Sequence, residues 1–222
     1  MKPMAWSYSS LDDFKNCPKA FHAKRVAKTV QEQPSDAMIW GNKVHKCFEL
    51  RQKDGTPLPD YLEEHEPLMR ELDDYEGEKY TERRIALNTQ RQPCSFFDKT
   101  VWMRGIIDFS LVHDDSALLV DYKTGKPHSK FEQLQLFALH TFIEFPQVNY
   151  VTAQFYWTKT KSTTEETYDR SQIPRMWGKF APDLKQYVQA FKQDIWQPRP
   201  SGLCNGWCPV TSCEFWKPKR KK

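Results

Sequence analysis

From Lys79 onward the apolar positions recur with the period of strands. "KYTERRIAL" (79–87), "VWMRGIIDFSLV" (101–112) and "ALLVDYK" (117–123) are bounded by turn residues and rich in β-branched and aromatic side chains. "FEQLQLFALHTFI" (131–143) predicts a helix, "VNYVTAQFYWT" (148–158) another strand, and "DLKQYVQAFKQDIW" (183–196) a late helix through Leu184, Tyr187, Phe191 and Ile195. Upstream, Ser10 reads as the N-cap of a first helix, with Asp13 three residues on, before Pro18 and a second helical run "KAFHAKRVAK". Ser35 precedes "DAMIWGNKVHKCFELRQ", in which Gly41, His45 and Phe48 share a helical face with Val44 beside them. Leu62, His65, Met69 and Leu72 repeat at helical spacing. This order predicts an α/β protein with a central mixed sheet flanked by helices. It is expected to be a single domain, with a helical part (1–78), an α/β core (79–197) and a Cys-rich, basic tail (198–222).

"VHDDSA" (112–117) is a turn between two apolar strands. A loop centred between Asp114 and Asp115 pairs Ile107 with Tyr122, Phe109 with Val120 and Leu111 with Leu118, an apolar face expected to be core. The other face then carries Asp108 opposite Asp121, with Lys123 one step along. Like charges facing each other destabilise a sheet, more so as water is lost. A hard divalent cation is the natural compensation, because Mg²⁺ takes oxygen ligands from one or two carboxylates together with waters and phosphates. A lysine beside it stabilises negative charge at a phosphate under attack. An isolated D-x-K is more often a surface ion pair, so the motif needs company.

Composition adds three constraints. A chain of 222 residues with 39% hydrophobic content, eight Trp and fourteen Phe can fill a sizeable core. The net charge of +4 is uneven: residues 60–78 hold nine acids and one Arg, leaving a strongly basic remainder that suits a polyanion. Met1 to Phe14 contains no apolar h-region and no stretch approaches the roughly 20 apolar residues of a membrane span, so the expectation is a soluble, cytoplasmic protein. Six cysteines without a secretory signal argue for thiols or metal ligands. Cys204, Cys208 and Cys213 in "CNGWCPVTSC", with Cys17 in "NCPKAF", make four thiolates that can hold zinc or an iron-sulfur cluster. Cys47 and Cys94 read as a small buried hydrophobe and a loop thiol. The basic body and nearby aromatics single out Arg104, Lys126, Lys130 and Trp157 as contacts for such a polyanion, with Trp102, His128 and Tyr156 as neighbours.

Together, "GIID" (105–108), "DYK" (121–123) and "QLQLF" (133–137) resemble the PD-(D/E)xK nuclease superfamily in its RecB-like branch. The resemblance implies a restriction-endonuclease-like core with the chain ends joined by a cysteine-ligated metal element. It implies Mg²⁺ or Mn²⁺ held by His45 in "GNKVHKCFE", Asp108, Asp121 and the backbone carbonyl of Tyr122. It gives catalytic roles to Asp108, Asp121, Lys123, Glu82 and Gln133. Phe137 stands where the family's helix carries Tyr, which removes a hydroxyl. In part of that branch one N-terminal and three C-terminal cysteines hold a 4Fe-4S cluster. The C-x3-C-x4-C spacing here departs from the tighter pattern, and zinc is the alternative. The expected function is a metal-dependent DNA exonuclease, favouring single strands, in recombination, repair or replication. In a phage setting it would act in the host cytoplasm, with a recombination or single-strand-binding protein as partner. The alternatives are a structure- or sequence-specific endonuclease on the same core and a non-catalytic nucleic-acid-binding module.

Overall fold

The strand-period segments assemble into one mixed sheet. In the computed structural model, which describes residues 1–219, β1 (Glu78–Asn88), β2 (Val101–His113), β3 (Ser116–Lys123), β4 (Tyr150–Trp157) and β5 (Ser162–Asp169) lie in sequence order across it. The end of the basic tail, 220–222, lies outside the described residues. All neighbours are antiparallel except β3 and β4, which run parallel. A parallel pair cannot be closed by a tight turn, and α5 (Glu132–Glu144) supplies the crossover. The chain divides into two compact units, one of residues 34–177 and one of residues 1–33 with 178 onward.

The sheet belongs to the first unit, together with α3 (Asp36–Asp54), α4 (Glu66–Asp74) and α5. Ser35 caps α3 as expected, its side chain accepting from the Met38 N–H, and Gly55 ends the helix at φ 69°. Val44 and Phe48 of α3 and Met69 and Leu72 of α4 form a core with Phe109, Leu111, Val120 and Tyr122 of the sheet. Leu62 and His65 are buried as their spacing predicts, but in a short 3₁₀ segment ahead of α4, where Pro67 opens the α-helix. Pro in the first turn costs no backbone hydrogen bond. The acidic stretch is thus anchored by its apolar face, and Arg51 ties it down by bonding Glu66 and Asp73.

The β2–β3 hairpin has the expected register over Phe109↔Val120 to His113↔Ser116. The ladder stops there. The expected Ile107–Tyr122 and Asp108–Asp121 pairs are not ladder partners; instead the Asp108 carboxylate accepts the Tyr122 N–H at 2.7 Å. β5 was not expected, because "STTEETYD" is an edge strand with little apolar content and Tyr168 its one buried residue.

In the second unit, α1 (Tyr8–Asn16) is capped by Ser7. The Ser7 hydroxyl accepts from the Ser10 N–H and the Ser10 hydroxyl from the Ser7 N–H, so Ser10 is the third helical residue and not the cap expected. α2 (Pro18–Phe21) continues into a π-helical turn, His22–Val26. α6 (Ile173–Gln193), which belongs to this unit from Gly178 on, starts ten residues earlier than its apolar period indicates, since Pro174, Gly178 and Pro182 disguise the first turns. Pro182 would crowd the carbonyl four residues back, which belongs to Gly178. Phe14, Phe21, Tyr187, Phe191 and Trp196 pack edge to face as the aromatic core.

One ion cluster ties β1 to α5. Arg83 lies between the rings of Tyr80 and Phe145, 4.6 Å from each centroid, and pairs with Glu144 at 2.5 Å; His140 Nδ1 is 3.1 Å from the same carboxylate. Burial alone would raise the Glu144 carboxyl, but His140 and Arg83 hold it down at about 2. Its folded value is below its ordinary 4.5, so the stability it contributes is present above about pH 4.5 and is lost as pH falls toward 2. Glu144→Gln should lower stability by on the order of 1 kcal/mol at neutral pH, allowing for partial exposure. In acid melts that difference should shrink below about pH 4.5 and vanish below about pH 2; a pH-independent difference would assign the loss to packing.

Candidate metal centre

The site lies where β2 and β3 part. Ile106 lines a cavity together with α3 residues, and Phe109 packs on the core that includes α3, although residues three apart on an ideal strand face opposite ways. The alternation of β2 therefore breaks at Asp108. Next to it on β1, Glu82 has φ 49°, a left-handed conformation rare for a non-glycine residue and costing on the order of 1–3 kcal/mol. Asp108 stays on the α3 side with Ile106, and Phe109 beyond the break joins it there. β3 keeps its alternation, and Asp121 turns to α5.

Two triads result. In the first, ligand atoms of His45, Glu82 and Asp108 all lie within 4.8 Å of one another, with His45 Nδ1 3.4 Å from Asp108 Oδ2. Burial and then the Asp108 charge raise the Glu82 carboxyl. Burial would depress His45, but its bond to Asp108 and the charges of Asp108 and Asp121 outweigh it, leaving the imidazole above its ordinary 6.5. These three residues line a cavity of about 630 Å³ whose far wall is the α3 face of Met38, Gly41 and Asn42. A Cβ on Gly41 would meet Thr124 Oγ1 at 3.2 Å, so glycine lets α3 approach the end of β3.

In the second triad, Gln133 bridges Asp121 and Lys123. Its amide donates to Asp121 Oδ1 at 2.7 Å, and its carbonyl accepts from Lys123 Nζ at 3.0 Å. Lys123 Nζ lies 2.5 Å from Asp121 Oδ2, a close ion pair inside the fold. Asp121 is 3% exposed. Burial, offset by Lys123 and reinforced by Asp108, pushes its carboxyl up to about 6. α5 is seated by Phe137, whose ring would touch a Cβ on Gly105 at 3.0 Å. A ring without a hydroxyl fills that apolar contact, so Phe at this position serves to place Gln133.

The structure thus brings together His45, Glu82, Asp108, Asp121, Lys123 and Gln133. Tyr122 adjoins them through its N–H, its ring packed on Phe48. The acidic segment 60–78 contributes no lining residue to the cavity. Lys126 and Lys130 are exposed in the segment after β3, and Arg104 is half-buried. Trp157, expected as a base platform, is corrected: it is 1% exposed, packs on Phe155 and His128, and donates to Thr164, so no base can reach its face. Tyr156 is likewise buried and bonded to His65. Met38, Gly41, Asn42 and Thr124 were missed as cavity residues; the i, i+3, i+4, i+7 spacing of 38, 41, 42 and 45 carried that signal.

In the unit containing both termini, Cys17, Cys204, Cys208 and Cys213 line one cavity with Ala20, Val210 and Trp216. The Arg199 N–H points to Cys17 Sγ at 3.4 Å and the Ser201 N–H to Cys204 Sγ at 3.5 Å. Among the described residues no three of these sulfurs lie within 4.8 Å of one another.

The family model described as the PD-(D/E)XK nuclease superfamily matches residues 5–213, and the chain belongs to that superfamily. It is a nuclease by family. No curated protein matches the chain. Among solved structures, one described as "Putative exonuclease" from Eubacterium rectale is 10% identical with a TM-score of 0.52, covering 95% of this chain and 86% of its own. The crystal structure of SSO0001 is 13% identical with a TM-score of 0.46 over the same shares. The first likeness bears on the fold.

The donor set suits a hard divalent cation: the carboxylates of Glu82 and Asp108 with the His45 imidazole, and the buried Asp121 carboxylate nearby. A raised Asp121 pKa means that the ionised form destabilises the metal-free fold at neutral pH, and that this cost disappears as pH falls below about 4. Asp121→Asn should therefore stabilise metal-free protein at pH 8 by on the order of 1–3 kcal/mol, raising Tm by several degrees. An unchanged or lower Tm would show that the Lys123 ion pair already compensates the buried charge.

Proposed function

We propose that the chain is a Mg²⁺- or Mn²⁺-dependent deoxyribonuclease that degrades single-stranded DNA from an end. The observation that carries this reading is the buried Asp121 carboxylate, held by Lys123 and Gln133, near the His45, Glu82 and Asp108 cluster. His45, Asp108 and Asp121 would hold the ion, with Glu82 and the Tyr122 carbonyl adjoining. Such an ion polarises a scissile phosphate and makes a water nucleophilic at neutral pH. Lys123 supplies the fixed positive charge that meets the charge developing on the phosphate oxygens. Gln133 holds Lys123 and Asp121 in one geometry, which limits the reorganisation needed at reaction. The choice of exonuclease draws on the resemblance to the RecB-like branch and on the description carried by the structural neighbour. A role in DNA recombination or repair in the cytoplasm, with a single-strand-binding protein nearby, suits such an activity.

A 4Fe-4S cluster on Cys17, Cys204, Cys208 and Cys213 belongs to the same proposal. Their cavity is largely apolar, and two backbone N–H groups point at the sulfurs, as thiolate ligands require. Zinc with 2.3 Å bonds would draw its ligands to about 3.8 Å apart. No three of these described sulfurs lie within 4.8 Å of one another, and the choice of a cluster over zinc draws on the resemblance to the RecB-like branch.

Asp108→Ala and Asp121→Ala should each lower cleavage of linear single-stranded DNA by at least about 10²-fold while the folded signal in circular dichroism persists. Covalently closed circular single strands of the same sequence should survive; rapid cutting of the circle would replace exonuclease by endonuclease. Protein purified without oxygen should be brown, and Cys208→Ser should remove both the colour and several degrees of Tm. Colourless protein with one zinc per chain would move the site to structural zinc.

A further inference from the structure

Strands β1 and β2 carry a surface beside the metal-site cavity of which the sequence singled out Arg104 alone. Arg83 pairs with Glu144 of α5, and Gly105 faces Phe137 of the same helix. Arg84 and Arg104 therefore project from the opposite face, the one whose Ile106 lines the cavity. The register sets Arg84 opposite Ile106 and Arg104 opposite Ala86. Arg84 is two residues from Glu82, and Arg104 is four from Asp108, about 13 Å along a strand. The β1–β2 connection brings Phe96 and Phe97 to them. The Arg84 guanidinium lies 5.8 and 5.6 Å from their centroids, and that of Arg104 lies 5.2 Å from Phe96.

The exposure of this cluster is what asks for a ligand. Phe97 is 73% exposed and Ile106 40%. Among the described residues no carboxylate forms an ion pair with Arg84 or Arg104, and Arg104 Nε is buried without a hydrogen-bond partner. Asp98, the acid of the same connection, is taken by the Thr100 N–H and hydroxyl, both at 2.7 Å. Guanidiniums without acids, set against an exposed ring and continuous with a phosphodiester site, match a chain of phosphates with π-faced bases. An apolar peptide would answer the ring and leave the charges unmet.

We infer that Arg84, Arg104, Phe96 and Phe97 form a platform for single-stranded DNA to one side of the scissile phosphate. Phe97 stacks a base and the two arginines hold phosphates, so the strand is drawn across Ile106 into the cavity. The span of about 13 Å corresponds to about four nucleotides at 3.4 Å each, and to fewer in an extended strand. This inference rests on the nuclease proposal for its orientation, and its test reads binding apart from cleavage.

Fluorescence anisotropy of the full chain with end-labelled single-stranded oligonucleotides in EDTA provides that test. Phe97→Ala should weaken binding about tenfold, and Phe97→Trp should retain it. Arg84→Ala should reduce the slope of log affinity against log salt by about 0.7, one phosphate contact. One abasic nucleotide, stepped through the first six or so positions, should cost the wild type about tenfold at one position and cost Phe97→Ala nothing further there. Equal losses in both proteins at every position, or unchanged binding by Phe97→Ala, would overturn the platform. Wild-type protein that shows this binding pattern yet cleaves nothing with Mg²⁺ or Mn²⁺ would overturn the nuclease proposal and leave the platform standing.

Discussion

The buried carboxylate of Asp121 is the constraint around which the rest of the site is arranged. A carboxylate taken out of water is costly, and here one oxygen accepts from Gln133 while the other is paired with Lys123. Nearby Asp108 makes the cost larger. A sheet optimised only for stability would place an apolar residue at this point of β3, between buried Val120 and Tyr122. Retaining the charge means that α5 must arrive with a glutamine at its first turn, and Gly105 must leave room for Phe137 so that it does.

A second departure from regular structure follows. Had the alternation of Phe109–His113 run back unbroken through β2, its acid would face α5 with Asp121, away from the imidazole of α3. The overturned alternation at Asp108 and the left-handed backbone of Glu82 direct both acids toward His45. The strain at Glu82 is tolerated because the flanking pairs, Thr81↔Phe109 and Arg83↔Ile107, hold the strand on either side. Imidazole and carboxylates from three elements converge this way on one cavity open at the α3 side.

The unit formed by the two ends of the chain solves a different problem. Residues 198–219 contain no long helix or strand, and Val210 is their single buried apolar side chain. Such a segment has little apolar area with which to offset the entropy of ordering it. Its thiols converge with Cys17 on one cavity, and a shared ligand would supply the missing free energy.

Much of this was legible in the sequence because it depends on local periodicity. The strand and helix runs, the Ser35 cap and the Phe109 to His113 register follow from side-chain alternation and turn chemistry, which neighbouring residues determine. Asp108, Asp121 and Lys123 were visible as fixed points of a recognisable hairpin, and His45 through the resemblance of its motif. The edge strand β5 and the first turns of α6 were hidden, one by lack of an apolar face, the other by prolines that a helix end tolerates and a periodicity count rejects. What no local pattern could provide is the overturn of β2 at Asp108, the separation of the acids into two triads, and the burial of Trp157. These depend on which helix covers which face of the sheet, a choice made by packing between residues distant in sequence. A tryptophan in a strand has the same local signature whether it faces DNA or His128 and Phe155; only tertiary structure decides which.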